Sequence, residues 1–168
     1  MVKIAIVGPS EEKWNEEEQK KKAKGYIFKL LLERPEYLQA DLIVVSGHCP
    51  KGGIDIYAEE VAKDLDIPME IFKPEVNQWN DKVLDDLHGG KFVTYGYKSR
   101  NIKIAETCDI LYCIVPESSH KGMVGGLTYQ ESDYCYHCLQ FGHIKSGGCW
   151  TMKYAKKLGK ETHLVVIE

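Results

Sequence analysis

Short apolar runs alternate with amphipathic stretches along the whole chain. Five mainly apolar runs predict strands, at residues 3–7, 41–46, 69–72, 109–116 and 162–167. Four intervening stretches predict helices, at residues 15–33, 54–65, 98–107 and 149–158. The second of these helices repeats its apolar residues at the spacing that places them on one face. Residues 76–96 show no clear period, and the sequence supports no assignment for them.

The predicted strands are almost continuously apolar instead of alternating between apolar and polar residues. Such strands are typical of a parallel sheet that is covered by helices on both faces. We therefore predict an α/β fold with a doubly wound, mostly parallel five-stranded sheet, formed as a single domain by residues 1–168. Ligands of such sheets bind beyond the carboxyl ends of the strands, so the residues that follow each strand are the candidates for function.

Composition excludes some classes of function. The chain has 168 residues and a net charge of −3, which argues against a protein that coats duplex DNA through bulk positive charge. Its apolar runs are shorter than the roughly 18 residues that a membrane span needs. The amino-terminal segment shows no cleavage-site pattern. From these features we expect a cytoplasmic protein with no membrane partner.

Turn-forming residues lie at three predicted strand or helix ends, and two of these turns are rich in glycine and lead into a helix. Gly8-Pro9-Ser10 follows the first strand, SGHCPKGG at 46–53 follows the second, and SGGCWT at 146–151 leads into the last helix. A backbone without Cβ can approach an anion closely, and a helix start offers unpaired N–H groups, so we expect phosphate. None of these turns matches the Walker loop or the GxGxxG fingerprint. The simpler alternative is that each glycine pair only permits a tight turn.

Arg100 and Asn101 form a third candidate feature, near the start of the helix that leads into the fourth strand. Arg100 is one of two arginines in the chain, the other being Arg34. Its guanidinium could pair with a phosphate or carboxylate, and the Asn101 amide could contact a ribose or base edge. The alternative is an exposed arginine on a solvated helix face.

A cysteine-rich insert covers residues 117–146, and it continues into the last helix. The pattern Cys135-x2-Cys138-x4-His143-x5-Cys149 offers three thiolates and one imidazole, the ligands that tetrahedral zinc prefers. The spacing is one residue longer than that of a retroviral zinc knuckle. We predict a structural zinc ion that holds the insert, with His120 and His137 as reserve ligands. The alternatives are separate buried thiols with a surface histidine, or a catalytic zinc with Glu131 or Asp133 as the base.

Aromatic residues and two further cysteines allow simpler interpretations. Tyr129, Tyr134, Tyr136 and Phe141 lie in the insert, where they could stack on a base or pack a small satellite core. Cys108 and Cys113 lie beside or within the fourth predicted strand, and we expect them to be small core residues.

With these motifs in place, the chain resembles the SLOG superfamily, the Rossmann-like group that includes DprA/Smf proteins and the cytokinin-activating LOG phosphoribohydrolases. The similarity is greatest to the small YspA-like branch. The match begins with MVKIAIVGPS at residues 1–10. It continues with the patterns SG…KGG.D..A, RN…A..CD.L and GG…T…A...GK, which fall within residues 41–72, 97–116 and 146–168. The resemblance implies a Rossmann-like fold and a ligand that is a nucleotide or is derived from one. The residues that it implies for the pocket are Gly8, Ser10, Gly47, Gly52, Gly53, Asp55, Arg100, Asn101, Gly147, Gly148 and Thr151.

The chain departs from the LOG hydrolases at their catalytic motif. Those enzymes carry PGGxGTxxE, whereas this chain has SGGCWTMKY and no glutamate at the corresponding position. Cleavage of an N-glycosidic bond needs a carboxylate near the developing positive charge, and Asp55, Glu131 and Asp133 are the available substitutes. We therefore favour a nucleotide-binding protein. The alternatives are a nucleoside 5'-monophosphate N-glycosidase and a protein that binds single-stranded nucleic acid, which the acidic charge disfavours. Because related folds often pair, we also expect a homo-oligomer.

Overall fold

The computed structural model describes residues 1–118 and 134–168. In these ranges a 3-10 turn covers Glu11–Lys13, and the helices are Glu17–Leu32 (α1), Pro35–Leu38 (α2), Ile54–Asp64 (α3), Tyr97–Thr107 (α4) and Gly147–Lys157 (α5). The strands are Val2–Val7 (β1), Leu42–Ser46 (β2), Met69–Ile71 (β3), Lys82–Asp85 (β4), Lys91–Thr94 (β5), Ile110–Pro116 (β6) and Glu161–Ile167 (β7). All five predicted strands and four predicted helices are present, with ends shifted by one or two residues.

Five of these strands form one sheet in the order β3-β2-β1-β6-β7. Every neighbouring pair in this sheet is parallel. This order confirms the predicted α/β, Rossmann-like fold. The chain runs outward in one direction from β1 to β2 and β3, and in the other direction from β6 to β7. The crevice between β1 and β6 is therefore the topological switch point, where ligands of open α/β sheets bind.

Helices cover both faces of the sheet. On one face α1 and α3 bury Ile27, Leu31 and Ala58 against strand residues that include Ile4 and Val44. On the other face α4 and α5 pack against a second cluster, which includes Val7, Leu111 and Cys113. The three central strands are accordingly buried, as their continuous apolar runs predicted. The edge strands β3 and β7 are partly exposed, because each has a neighbour on one side only.

The segment that the sequence left unassigned contains an antiparallel hairpin. Strands β4 and β5 pair with each other and with no other strand in the described part of the chain. The base of the hairpin is fastened to α4, since Asp81 accepts hydrogen bonds from the Gly96 N–H at 2.8 Å and the Ser99 hydroxyl at 2.7 Å. The hairpin itself protrudes, with seven of its eight strand residues exposed.

The insert forms no regular helix or strand in its described residues, 117–118 and 134–146. Residues 134–146 return to the sheet through hydrogen bonds from the Ser118 N–H to the Gly142 carbonyl and from the Ile144 N–H to the Pro116 carbonyl. The insert therefore continues from the carboxyl end of β6. None of the described helices is both long and apolar enough to cross a membrane.

Candidate functional site

A cavity of about 250 Å³ opens at the switch point between β1 and β6. It is bounded by the turn after β1, the loop after β2, one side of α4 and the amino-terminal end of α5. Eight residues implied by the resemblance line it: Gly8, Ser10, Asp55, Arg100, Asn101, Gly147, Gly148 and Thr151. The fold therefore brings together residues from four separate segments of the sequence.

Two of these glycines are required by close backbone contacts. A Cβ on Gly8 would lie 2.2 Å from the Ile114 carbonyl oxygen, which real Cβ atoms do not approach. A Cβ on Gly148 would lie 2.8 Å from the backbone nitrogen of Gly8. The turn after β1 and the first turn of α5 thus pack directly backbone against backbone. Through this contact the start of α5 forms a wall of the cavity.

The amino-terminal end of α5 offers an unpaired donor to this cavity. Ser146 is the N-cap, and its hydroxyl accepts a hydrogen bond from the Gly148 N–H at 3.1 Å. The Gly147 N–H has no hydrogen-bond partner among the described residues. The Thr151 hydroxyl donates to the Gly147 carbonyl at 2.9 Å and so holds the first turn of α5. A helix start with an unpaired N–H and a positive dipole end favours an anion.

Arg100 is buried beneath the cavity and is not on a solvated helix face. Its exposed fraction is 8%. One terminal nitrogen, Nη1, donates to the Gly47 carbonyl and lies 3.3 Å from a carboxylate oxygen of Asp55. Its Nε is buried with no hydrogen-bond partner. The guanidinium is therefore fixed on one side by the protein and retains unused donors.

Asp55 is a buried carboxyl group that balances this guanidinium. Burial is the main cause that raises its pKa from 3.8 to about 6, while Arg100 opposes the rise. Glu59 raises this pKa further, and His48 lowers it. Glu59 also accepts a hydrogen bond from the Ser46 hydroxyl at 2.6 Å and contacts the His48 ring at 2.8 Å. The start of α3 therefore carries a network of charges, with Asp55 at the cavity.

Asn101 is the polar residue that the protein uses least. It is 4% exposed, and its side-chain amide makes no hydrogen bond to any described residue. A Cβ on Gly147 would lie 3.7 Å from its amide nitrogen, so the amide stands beside the start of α5. Since Asn101 lines the cavity, its amide is open there to water or to a ligand that can donate and accept hydrogen bonds.

Three implied residues, Gly47, Gly52 and Gly53, lie beside the cavity and do not line it. A side chain at Gly47 would collide with Arg100, at 2.3 Å from its Nη1, and a Cβ on Gly53 would lie 2.2 Å from the Pro9 carbonyl oxygen. Gly52 and Gly53 also have positive φ angles, of 74° and 92°. These glycines shape the loop that carries Asp55 and receives Arg100. The positive φ angles and close contacts are those of tight turns, and direct contact of these glycines with a ligand stays a prediction.

Several residues of the cavity wall were not predicted, namely Glu12, Lys13, Cys49, Lys51, Trp79 and Tyr97. Trp79 comes from the unassigned segment, and hydrogen bonds from the Tyr97 N–H to the Gln78 carbonyl and from the Lys98 N–H to the Trp79 carbonyl hold it there. Tyr97 lies one helical turn before Arg100, a spacing that could have identified it. Cys49 is not an activated nucleophile, because burial raises its pKa.

The second candidate site is the cysteine cluster. The potential ligand atoms of Cys135, Cys138, His143 and Cys149 all lie within 4.8 Å of one another. Three of the four residues are buried and Cys138 is partly exposed. A turn from Cys135 to Gln140 is closed by two backbone hydrogen bonds and presents the first two thiols. The predicted ligand set therefore comes together, and three sulfurs with one imidazole fit a tetrahedral zinc ion.

His143 faces this cluster through its Nε2, which lies 3.8 Å from the Cys149 sulfur. Its other nitrogen, Nδ1, is buried and has no hydrogen-bond partner. Hydrogen bonds from Cys113 and Cys138 lower the pKa of Cys149, as a ligand thiolate requires. Cys113 belongs to β6 and is fully buried, as expected for a core residue, but it also contacts the cluster. Its raised pKa, due first to Cys149, indicates that it acts as the donor in this contact.

No family model matches the chain, and no curated protein matches it. Among solved structures, it is similar to DNA processing protein A (DprA) from Streptococcus pneumoniae, with a TM-score of 0.49 and 14% sequence identity. The similarity covers 97% of this chain and 50% of that one, so the chain spans about half the length of DprA. Membership of a particular branch of the SLOG superfamily stays a prediction from the motifs.

Proposed function

We propose that the cavity at the switch point binds a nucleotide or a nucleotide-derived molecule through its phosphate. The observation that carries this proposal is the set of polar groups around one cavity that have no hydrogen-bond partner among the described residues, of which the Arg100 Nε is fully buried. They are the Gly147 N–H, the Arg100 Nε and the Asn101 amide. The first two are donors, as recognition of a phosphate oxygen requires.

The remaining walls suit the rest of such a molecule. Trp79 and Tyr97 offer aromatic surface to a base. The carboxylate of Asp55 and the amide of Asn101 can accept and donate hydrogen bonds to ribose hydroxyls. At about 250 Å³, the cavity takes a phosphoribosyl group and leaves part of a larger molecule outside.

A substitution at Gly147 tests the phosphate contact with little change to the fold. Gly147 is the first residue of α5, and Ser146 before it has an extended backbone, so proline is compatible with this position. Gly147→Pro removes the amide hydrogen, whereas Gly147→Ala keeps it. Isothermal titration with nucleoside 5'-monophosphates and with inorganic phosphate measures both. We expect Gly147→Pro to weaken binding roughly 10- to 100-fold, the cost of one hydrogen bond to a charged group.

The control variant Gly147→Ala should bind the same nucleotides nearly as tightly as the wild type, because its Cβ meets Asn101 at an ordinary 3.7 Å. Equal affinities of the two variants would contradict the proposed phosphate position. Failure of the wild type to bind any nucleotide or phosphate would contradict the proposed function.

We also propose that the cysteine cluster holds a structural zinc ion. The ion would tie the turn at Cys135–Cys138 to the first turn of α5 through Cys149, and so hold residues 134–146 in place. Elemental analysis of the purified protein should give about one zinc per chain, and Cys138→Ser should lose it. Cys108→Ala, at a buried thiol outside the cluster, is the matched control and should retain the metal. A folded wild type without metal would contradict the assignment.

The carboxyl group of Asp55 favours a second use of the same cavity, as a nucleotide N-glycosidase. Of the three acids considered from the sequence, Asp55 lines the cavity, and its raised pKa suits a proton donor. Glu131 and Asp133 lie outside the described residues. Chromatography of the titrated samples detects any free base. Release by the wild type and its loss in Asp55→Asn would support this activity, and recovery of intact nucleotide from saturated protein would contradict it.

A lysine-lined groove beside the cysteine cluster favours single-stranded nucleic acid as another ligand class. The groove has a volume of about 560 Å³ and is lined by Lys153, Lys156 and Lys157 of α5 and by His137. None of these lysines has a carboxylate within 4.0 Å among the described residues. The neighbouring turn exposes Tyr136, which could stack on a base. Fluorescence anisotropy with a labelled oligonucleotide tests this. Replacing the three lysines by alanine should reduce the slope of log affinity against log salt concentration by about two.

A further inference from the structure

The hairpin β4–β5 exposes apolar side chains on both of its faces. Val83 and Val93 form one cross-strand pair, with exposed fractions of 56% and 45%. Leu84 and Phe92 form the next pair on the opposite face, with exposed fractions of 46% and 61%. A two-stranded hairpin of this kind is marginally stable in water by itself. These exposed pairs therefore indicate a surface that is covered in the working protein.

One edge of the hairpin presents unpaired backbone groups. The Asp86 N–H donates to the Gly90 carbonyl at 2.8 Å, which makes this pair a hydrogen-bonded one. Because bonded and non-bonded pairs alternate along an antiparallel ladder, Val83 and Asp85 point their N–H and C=O groups away from β5. Within the described part of the chain these groups have no partner. Strand β4 is therefore open to pairing with a further strand.

We propose that β4 pairs antiparallel with β4 of a second copy of this chain, around a two-fold axis at Leu84. In this register the outward groups of Val83 face those of Asp85 of the second copy. Leu84 then lies opposite itself, and Lys82 lies opposite Asp86 of the second copy. The two hairpins join into one four-stranded antiparallel sheet. Two-fold symmetry is the commonest arrangement of homo-oligomers, and it requires a self-complementary surface of this kind.

Charge complementarity is the reason for choosing a second copy and the β4 edge. The register places two opposite-charge pairs, Lys82 with Asp86, symmetrically around the apolar centre. The turn uses one oxygen of Asp86, which accepts from the N–H groups of His88 and Gly90, and the other oxygen makes no hydrogen bond to a described residue. Exposed ion pairs add little affinity, but they fix the register.

The same construction at the β5 edge lacks this match. There, Phe92 would lie on the axis and Lys91 would face Val93 of the second copy, just as Asp85 faces Val83 at the β4 edge, but the next pair, Gly90 with Thr94, carries no charge. Only at the β4 edge does this construction pair the outward backbone groups and also place opposite charges together. This inference does not depend on the proposed function, since no residue of β4 or β5 lines the cavity.

Opposite charges at position 84 test the proposed axis directly. Because this residue faces its own copy, Leu84→Lys alone and Leu84→Asp alone each place two like charges together, and each should be monomeric. An equimolar mixture of the two variants should form dimers, since each mixed dimer places one lysine opposite one aspartate at the axis. Sedimentation velocity on the wild type, each variant and the mixture measures the species, and the wild type should be a dimer.

Two controls make the outcome decisive. Leu87→Ser removes a fully exposed leucine at the hairpin tip, outside the ladder, and should stay dimeric. Circular dichroism shows whether each variant keeps its fold. A monomeric wild type at every concentration, or a mixture that stays monomeric, would overturn the proposal. The same mixing experiment with Phe92→Lys and Phe92→Asp would overturn it if dimers were restored there and not at position 84.

Discussion

The close approach of α5 to the turn after β1 predicts that two adjacent glycines tolerate alanine very differently. Gly148→Ala places a Cβ 2.8 Å from the Gly8 nitrogen and 2.9 Å from the Gly8 Cα, where both neighbours are backbone. Gly147→Ala places a Cβ no nearer than 3.7 Å to any neighbour outside its own helix and its adjoining residues. The first substitution must therefore move α5, whereas the second fits as the helix stands.

The magnitude follows from the distance. An ordinary contact between such atoms is about 3.5–4.0 Å, so α5 must move by somewhat less than 1 Å. Overpacking of this kind costs about 1–3 kcal/mol of unfolding free energy. Replacing glycine by alanine in a helix also contributes a gain of up to about 1 kcal/mol, which both variants share. The difference between the two variants therefore isolates the cost of the contact with Gly8.

Urea unfolding of both variants measures this difference, with zinc present throughout. We expect Gly148→Ala to be less stable than Gly147→Ala by about 1–3 kcal/mol at an unchanged m-value. Because the shift also moves the Gly147 N–H relative to the cavity, nucleotide affinity should fall in Gly148→Ala and not in Gly147→Ala. Equal stabilities within about 0.5 kcal/mol would refute the argument, since they would mean that the two backbones are not in contact.

Three further predictions follow from the two sites. The pKa of Asp55 is raised from 3.8 to about 6, so the folded protein binds this proton more tightly than the unfolded chain, and stability should fall by about 2 kcal/mol as pH rises from about 4 to 6. Urea titrations across this range should show that fall reduced in Asp55→Asn, and an unchanged slope would contradict the role of burial. Chelation of the metal should lower the melting temperature of the wild type and leave Cys135→Ser, which has lost a ligand, unaffected. Ile114→Ala, at a fully buried position of β6, should lower the unfolding free energy by about 2–5 kcal/mol in the same assay. A smaller cost would mean that neighbouring core side chains fill the space left by the removed atoms.

The parallel sheet was predictable because its central strands are buried on both sides. Apart from Lys3, strands β1 and β6 consist of apolar residues, the near-continuous pattern that is typical of strands covered on both faces. The hairpin was not predictable by the same logic. The apolar residues of β4 and β5 are exposed on both faces, so they follow neither the period of a helix nor that of a half-buried strand.

In each of the two candidate sites, some residues were predictable from the sequence and others were not. The four residues of the cysteine cluster lie within a fifteen-residue segment, so their spacing alone predicted that they meet. The contact of Cys113 with them depends on where β6 lies in the sheet, which spacing does not reveal. Likewise, the glycines were predicted from strand and helix ends and Arg100 from its place near the start of a helix, whereas Trp79 reaches the cavity through hydrogen bonds from α4 that no local pattern specifies.

Cys149 connects the two candidate sites. It belongs to the cysteine cluster, and it directly follows the glycine pair that forms the cavity wall. An ion that fixes Cys149 also fixes the first turn of α5, which then needs no further ordering when an anion binds. If a bound metal ion strengthens anion binding by a given factor, thermodynamic reciprocity requires that the anion strengthen metal binding by the same factor. If the cluster holds zinc as proposed, the affinity of the cavity for an anion should depend on the free zinc concentration.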